Sequence, residues 1–199
     1  MSRTAILLSG GMDSIAVAYW RRPSLAITVD YGQVSAAGEL RAAAAVADQL
    51  EMQHEIVEAD LLALGSGDMA GRTAIDIAPI PEWWPFRNQM LITLAAMRGI
   101  GLNVTRLLIG TVKSDSSHAD GRHEFIAAMD DVLRLQEGGL RLEAPAIDLT
   151  AVELIRTSAI PREVLAWAHS CHVAEYACGD CRGCHKHYET YETLGLAGY

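Results

Sequence analysis

Apolar residues along this chain fall into short continuous runs separated by stretches with helical spacing. Ala5-Ile6-Leu7-Leu8 and Leu25-Ala26-Ile27-Thr28-Val29-Asp30 read as strands buried on both faces. Between them, Ser14-Ile15-Ala16-Val17-Ala18-Tyr19-Trp20 reads as a helix. A second helix is expected over residues 35–50, where Ala, Leu and Glu favour that state. His54-Glu55-Ile56-Val57-Glu58 alternates like a strand. A helix opens at Arg87-Asn88 and runs to about Ile100, closed by Gly101. Residues 106–110 form a fourth strand, residues 122–135 a helix and residues 140–144 a short strand. Thr150-Ala151-Val152-Glu153 fits a capping box and starts a further helix. Pro161 interrupts before a short helix over residues 162–168. Strands and helices alternating at this spacing indicate βαβ units and a parallel sheet.

One segment breaks the rhythm. Residues 65–85 hold Gly65, Gly67, Gly71, Pro79, Pro81 and Pro85. An irregular stretch of that length in a compact domain is either a functional lid or a disordered excursion. Trp83-Trp84-Pro85-Phe86 at its end reads as a wall for a planar ring or as core packing.

Chemistry enters at the first strand-to-helix turn, Ser9-Gly10-Gly11-Met12-Asp13-Ser14. Glycines allow close approach of backbone to a phosphate, and the following helix offers unpaired N–H groups and a positive dipole end. The serine hydroxyls add donors, and Asp13 suits a magnesium ion or a helix cap. The segment predicts a nucleotide pyrophosphate site. It lacks the lysine of the Walker loop and resembles the loop of the ATP pyrophosphatases, which split ATP into AMP and pyrophosphate.

Composition narrows the classes. With 199 residues and 50% hydrophobic content, the chain suits one domain with at most a small appendage. A net charge of −9 argues against a nucleic-acid-binding surface. No apolar run reaches the length of a membrane span, and Met1-Ser2-Arg3 leads straight into a strand, so a cytoplasmic location is expected. The only lysines are Lys113 and Lys186, which leaves few cations for a triphosphate.

All four cysteines, Cys171, Cys178, Cys181 and Cys184, lie in one turn-rich stretch. Their spacing matches tetrahedral zinc in a structural site, with Gly179 and Gly183 supplying tight backbone. His172, His185 and His187 are alternative ligands, and redox chemistry at a Cys-x-x-Cys pair is the competing reading.

The phosphate loop and the cysteine group together resemble the QueC-like 7-cyano-7-deazaguanine synthases over nearly the whole chain. Asp30-Tyr31-Gly32-Gln33 is similar to that family's Asp-Tyr-Gly-Gln. Pro85-Phe86-Arg87-Asn88 is similar to its Pro-Gly-Arg-Asn. Ser114-Asp115, Asp120-Gly121-Arg122 and Glu124-Phe125-Ile126 resemble another of its stretches, and Cys178-Gly179-Asp180-Cys181-Arg182-Gly183-Cys184 its zinc knuckle.

The resemblance implies an α/β, Rossmann-like, doubly wound and mostly parallel sheet with a C-terminal four-cysteine zinc knuckle. Residues 1–168 would form the nucleotide-binding domain and residues 169–199 the zinc-binding tail, often in a homodimer. It implies that ATP, with magnesium, adenylates the carboxylate of 7-carboxy-7-deazaguanine. Ammonia then gives the amide, and a second ATP the nitrile. Ser9, Gly10, Gly11, Met12, Asp13, Ser14, Asp30 and Arg87 would bind the nucleotide. Asp13, Lys113, Asp115 and Arg122 would act in catalysis, with Asp120 available to a metal or to the deazaguanine edge. The family's lysine at the start of the late helix is Ala151 here, and Lys113 is the expected replacement cation. Val34-Ser35 also stands where the family has a polar pair after Asp-Tyr-Gly-Gln.

Three other functions share these motifs. One is a ligase that passes the activated acyl group to a protein amine, as in antiphage defence. Another is a sulfur- or amide-transferring relative acting on tRNA, which the acidic charge disfavours. The third is a non-catalytic, zinc-stabilised nucleotide-binding protein.

Overall fold

The computed structural model describes residues 3–196. Its strands are β1 (Arg3–Leu7), β2 (Leu25–Asp30), β3 (Gln53–Glu58), β4 (Val104–Leu108) and β5 (Arg141–Glu143). They form one sheet in the order β3-β2-β1-β4-β5, and every pairing is parallel. The helices are α1 (Met12–Arg21), α2 (Ala36–Gln49), α3 (Arg87–Ile100), α4 (His123–Arg134), α5 (Ala151–Ser158), α6 (Arg162–Leu165) and α7 (Arg182–Thr193).

Strand alternation explains the layering. Ile6 and Leu8 point into a core with Ile15, Val17, Val46, Leu154 and Leu165, from α1, α2, α5 and α6. Ala5 points the other way, with Leu25, Leu107 and residues of α3 and α4. Each fully buried Leu or Ile contributes roughly 1.5–3 kcal/mol, and both faces of the central strands are covered. That is the doubly wound arrangement, and it explains why the strands read as continuous apolar runs.

The helices expected from the sequence are present, with shifted ends. β1 and β4 each sit about two residues earlier than expected, and the helix after Pro161 closes at Leu165. The capping box forms: Glu153 N–H donates to Thr150 Oγ1 (3.2 Å), and Thr150 N–H donates to Glu153 Oε2 (2.8 Å). α7 was not anticipated, because Arg182–Thr193 carries almost no apolar stripe. It nonetheless buries Tyr191 in the core that Ile6 and Leu8 enter, so residues beyond 168 share that core.

The glycine- and proline-rich segment is an irregular excursion that contains one short 3₁₀ turn, Asp68–Ala70, and follows another, Leu62–Leu64. Asp68 N–H donates to Pro81 O (3.0 Å), and Val34 N–H donates to Met69 O (3.0 Å). Trp84 is buried with Val29, Tyr31, Met69 and Ala70 at the carboxyl edge of β2.

Neighbouring strands run in opposite sequence directions on the two sides of β1, so the switch point lies between the carboxyl ends of β1 and β4. Ligands of open α/β sheets bind in the crevice at that point. There the backbone is tightly apposed: a Cβ on Gly110, just past β4, would lie 2.7 Å from Ser14 Cα and 2.8 Å from Ser14 N. Neither atom can rotate away. Gly110→Ala is expected to lower the unfolding free energy by about 1–3 kcal/mol, as core overpacking does. Urea denaturation followed by circular dichroism measures it.

Candidate active site

At the switch point β1 ends in a turn that only glycine permits. Gly10 has φ +77°, and a Cβ there would lie 2.5 Å from Glu39 O. Gly11 then serves as N-cap of α1 with no side-chain cap hydrogen bond. The first intrahelical bond of α1 runs from Ile15 N–H to Gly11 O (3.1 Å). The N–H groups of Met12, Asp13 and Ser14 precede it and remain for a partner outside the helix. Ser9 Oγ lies 3.1 Å from Ser14 Oγ, and Ser14 Oγ donates to Gly11 O (2.9 Å). The hydroxyls thereby shape the turn.

A cleft of about 630 Å³ opens over this helix start. Its walls include the turn, Tyr31 and Glu39, Trp83 and Trp84, Asp115 and Asp120, and parts of the 169–189 stretch. Asp13 sits at its base. Asp13 Oδ2 accepts from Lys186 Nζ (2.8 Å), while Asp13 Oδ1 is buried with no hydrogen-bond partner among the described residues. Burial holds the Asp13 carboxyl above its ordinary range against the pull of Lys186, with Asp115 adding to the rise. Lys186 Nζ also lies 3.6 Å from Asp115 Oδ1.

A second polar group occupies the β2 side. Gln33 Nε2 (2.9 Å) and Ser35 Oγ (2.6 Å) donate to Glu39. Gln33 Oε1 accepts from Tyr31 N–H (3.0 Å). Burial pushes the Glu39 carboxyl up, and it also pushes up the Tyr31 phenol. Arg87 donates to Asn88 Oδ1 (3.2 Å) and to the Met69 thioether, and it lies beside the Tyr31 hydroxyl. Trp84 meets Tyr31 edge-on at 5.0 Å between ring centres. Trp84 is thus core packing that also lines the cleft.

The structure gathers Ser9, Gly11, Met12, Asp13, Ser14, Arg87, Asp115 and Asp120 around the cleft. It places the other expected residues elsewhere. Gly10 lies beneath the turn, against α2. Asp30 Oδ1 accepts from Gly32 N–H (3.1 Å) and does not line the cleft. Lys113 is exposed, outside the cleft lining, and its charge acts on Glu153. Arg122 is also exposed and donates to Ser116 O (3.1 Å). The cation that does reach Asp13 is Lys186, which the sequence offered only as one of two lysines. Glu39 was missed as well; its signal is the i, i+4 spacing of Ser35 and Glu39 just after Gln33.

The four cysteines converge beside the cleft, with all four Sγ atoms within 4.8 Å of one another. Cys178–Cys184 and Cys181–Cys171 are each 3.9 Å apart. Backbone N–H groups of Asp180 and Cys181 point at Cys178 Sγ and hold its thiol down to about 7. Burial pushes Cys184 up to about 12. His172 and His185 stay outside the sulfur cluster: the His172 backbone N–H donates to Cys181 Sγ (3.4 Å), and the His185 ring lies 3.8 Å from Asp180.

A doubly wound α/β sheet, an uncapped glycine-rich helix start at its switch point and a four-cysteine cluster beside it define an α/β protein of the PP-loop fold. The U34-tRNA thiolase NcsA from Methanococcus maripaludis, solved with its [4Fe-4S] cluster, has this fold. The two align with a TM-score of 0.58 at 18% identity, over 97% of this chain and 65% of that one. The family model for the queuosine biosynthesis protein QueC matches residues 3–195, and the chain belongs to the QueC family. Curated relatives include the 7-cyano-7-deazaguanine synthases of Methylococcus capsulatus and Thiobacillus denitrificans. The first is 33% identical, over 99% of this chain and 97% of the relative; the second is 34% identical, over 96% and 94%.

His187 supplies a pH handle near the cleft. It is 1% exposed, stacks on Tyr191 at 4.3 Å and has Nδ1 3.1 Å from Ser170 Oγ. Burial, and then the charge of His169, hold its imidazole down to about 4 from an ordinary 6.5. The unfolded chain therefore binds a proton that the folded chain refuses. The contribution of His187 is complete above about pH 6.5 and is lost as pH falls toward about 4. His187→Phe is expected to flatten that part of the pH–stability curve, measured by urea unfolding at half-unit pH steps.

Proposed function

We propose that this chain uses ATP to convert 7-carboxy-7-deazaguanine and ammonia into 7-cyano-7-deazaguanine, releasing AMP and pyrophosphate. The relatives' shared name supports the product and a deazaguanine substrate. The observation that carries the ATP step is the start of α1, with three unpaired N–H groups beside a buried, half-partnered Asp13.

The chemistry explains why such a site is needed. A carboxylate is a poor electrophile because oxide is a poor leaving group. Bonding its oxygen to the α-phosphorus of ATP breaks the bond to the bridging oxygen and expels pyrophosphate. AMP then leaves when ammonia attacks the acyl carbon, which gives the amide. Bonding of the amide oxygen to the α-phosphorus of a second ATP expels a second pyrophosphate, and loss of AMP and of the two N–H protons leaves the nitrile. The protein's task is to align two anions and neutralise the charge that gathers on the departing phosphates. Met12, Asp13 and Ser14 N–H groups, with the dipole of α1, receive phosphate oxygens. Trp83 and Trp84 offer flat apolar surface, and Arg87 and Glu39 offer a charged donor and acceptor for polar edges.

Two metals fit the residues present. The unpartnered Asp13 Oδ1 is a hard oxygen donor suited to magnesium, which when bound shields phosphate charge. A tetrahedron with zinc–sulfur bonds of about 2.3 Å has edges of about 3.8 Å. The 3.9 Å sulfur contacts match those edges. Burial favours the neutral thiol at Cys184, so a cation beside it would be what holds it as a thiolate. Four protein sulfurs leave no open position, so this zinc is structural.

Purified protein with ATP, magnesium, 7-carboxy-7-deazaguanine and ammonia is expected to release pyrophosphate and yield the nitrile mass by mass spectrometry. Pyrophosphate release that ignores the deazaguanine acid would overturn the reading. Asp13→Ala is expected to cut release at least about 100-fold with an unchanged circular dichroism spectrum. Cys181→Ser is expected to bring zinc content well below one per chain and to lower the melting temperature, measured by metal analysis and calorimetry.

A further inference from the structure

We infer that Lys186 is a phosphate-contacting catalytic residue, carried into the cleft by the cysteine-bearing helix α7. The inference rests on the adenylation reading above and names a residue that reading does not use.

The cleft is short of usable cations. Carboxylates of Asp13, Glu39, Glu82, Asp115, Asp120 and Glu189 line it, against Arg87, Arg182 and Lys186. Arg182 is paired with Glu82 (3.0 Å), with more than half of its side chain in solvent. Arg87 is engaged on the β2 side with Asn88, Met69 and Tyr31. Lys113 stands outside. Among the described residues, Lys186 alone sits at the phosphate-binding turn, one hydrogen bond from a residue in the first turn of α1. An ammonium has three donors. Lys186 uses one on Asp13 and lies 3.6 Å from Asp115, and 37% of its side chain remains exposed. A donor is left for a phosphate oxygen.

The cysteine segment fixes where that ammonium sits. Cys181 is the N-cap of α7 and Cys184 lies in its first turn, so Lys186 follows within one further turn. A Cβ on Gly183 would fall 1.9 Å from Ser170 O, so α7 is seated directly on the 169–171 stretch of backbone. That backbone is tied to the phosphate turn, because His169 N–H donates to Gly10 O (2.9 Å). The cysteine-bearing stretch is therefore splinted to the turn, with Lys186 set against Asp13 in the first turn of α1. Ala151, at the start of α5, is buried in the core and lies outside the cleft lining.

In the step itself, a carboxylate oxygen bonds to the α-phosphorus while the bond from that phosphorus to the bridging oxygen breaks. The electron pair leaves on pyrophosphate. No proton is transferred, and Lys186 stays an ammonium that offsets the added negative charge.

The test uses full-length, metal-loaded protein with Lys186→Met, Lys186→Gln and Lys186→Arg. Two readouts are taken: binding of magnesium pyrophosphate alone by calorimetry, and pyrophosphate–ATP exchange in the presence of 7-carboxy-7-deazaguanine. Lys186→Met is expected to weaken pyrophosphate binding at least tenfold and slow exchange about 100-fold. Lys186→Gln keeps a donor for Asp13 but no charge, and it is expected to be as defective while melting like the parent. Lys186→Arg is expected to stay within about tenfold of the parent. If Lys186→Met does not fold, Lys186→Gln decides. Pyrophosphate affinity within twofold of the parent in the neutral variant would overturn the role of Lys186. A parent that binds pyrophosphate but shows no acid-dependent exchange would overturn the adenylation reading and leave the binding comparison standing.

Discussion

Three backbone N–H groups at the start of α1 have no partner in their own helix, and the rest of the molecule is organised around that deficit. A helix start normally meets it with a Ser, Thr, Asp or Asn cap. Here Gly11 has no side chain to offer, and Ser9 and Ser14 bond to each other and to the turn. The unpaired donors and the helix dipole make a local positive field at the one crevice that a doubly wound sheet leaves open. Gly10 and Gly110 let the α2 and β4 backbones close in below and beside that crevice.

The same crevice is rich in carboxylates, which is an awkward place to bring a nucleotide. Buried acids either pair, bind a metal or take up a proton. Glu39 is quenched by Gln33 and Ser35, while Asp13 divides its oxygens between Lys186 and an open side. Within the Asp-Tyr-Gly-Gln stretch Tyr31 lines the cleft, while Gln33 stands behind it and bridges Tyr31 N–H and Glu39. The cysteine cluster is part of this balance, because the helix it starts carries the ammonium that faces Asp13.

Much of the architecture was legible in residue patterns. Doubly covered strands such as Leu25–Asp30 appear as apolar runs because neither face tolerates a polar side chain. The capping box at Thr150 was legible because its bonds span only three residues. Ends of β1 and β4 were not, since an apolar run does not say where ladder hydrogen bonds stop. α7 was hidden because its residues are mostly polar and its anchorage comes from the cysteines and from Tyr191.

The sequence by itself determined the glycine turn after β1, the grouping of the four sulfurs and the alternation that makes a parallel sheet, because each is set by chemistry within a few neighbouring positions. Only the tertiary structure decided which charges meet. Lys113 and Arg122 stand near the right stretch of chain yet lie in solvent, outside the cleft lining. Lys186, 173 positions from Asp13, forms the ion pair. Coulomb attraction depends on distance through space and on the water excluded between the partners. Neither quantity is written in the order of residues along the chain.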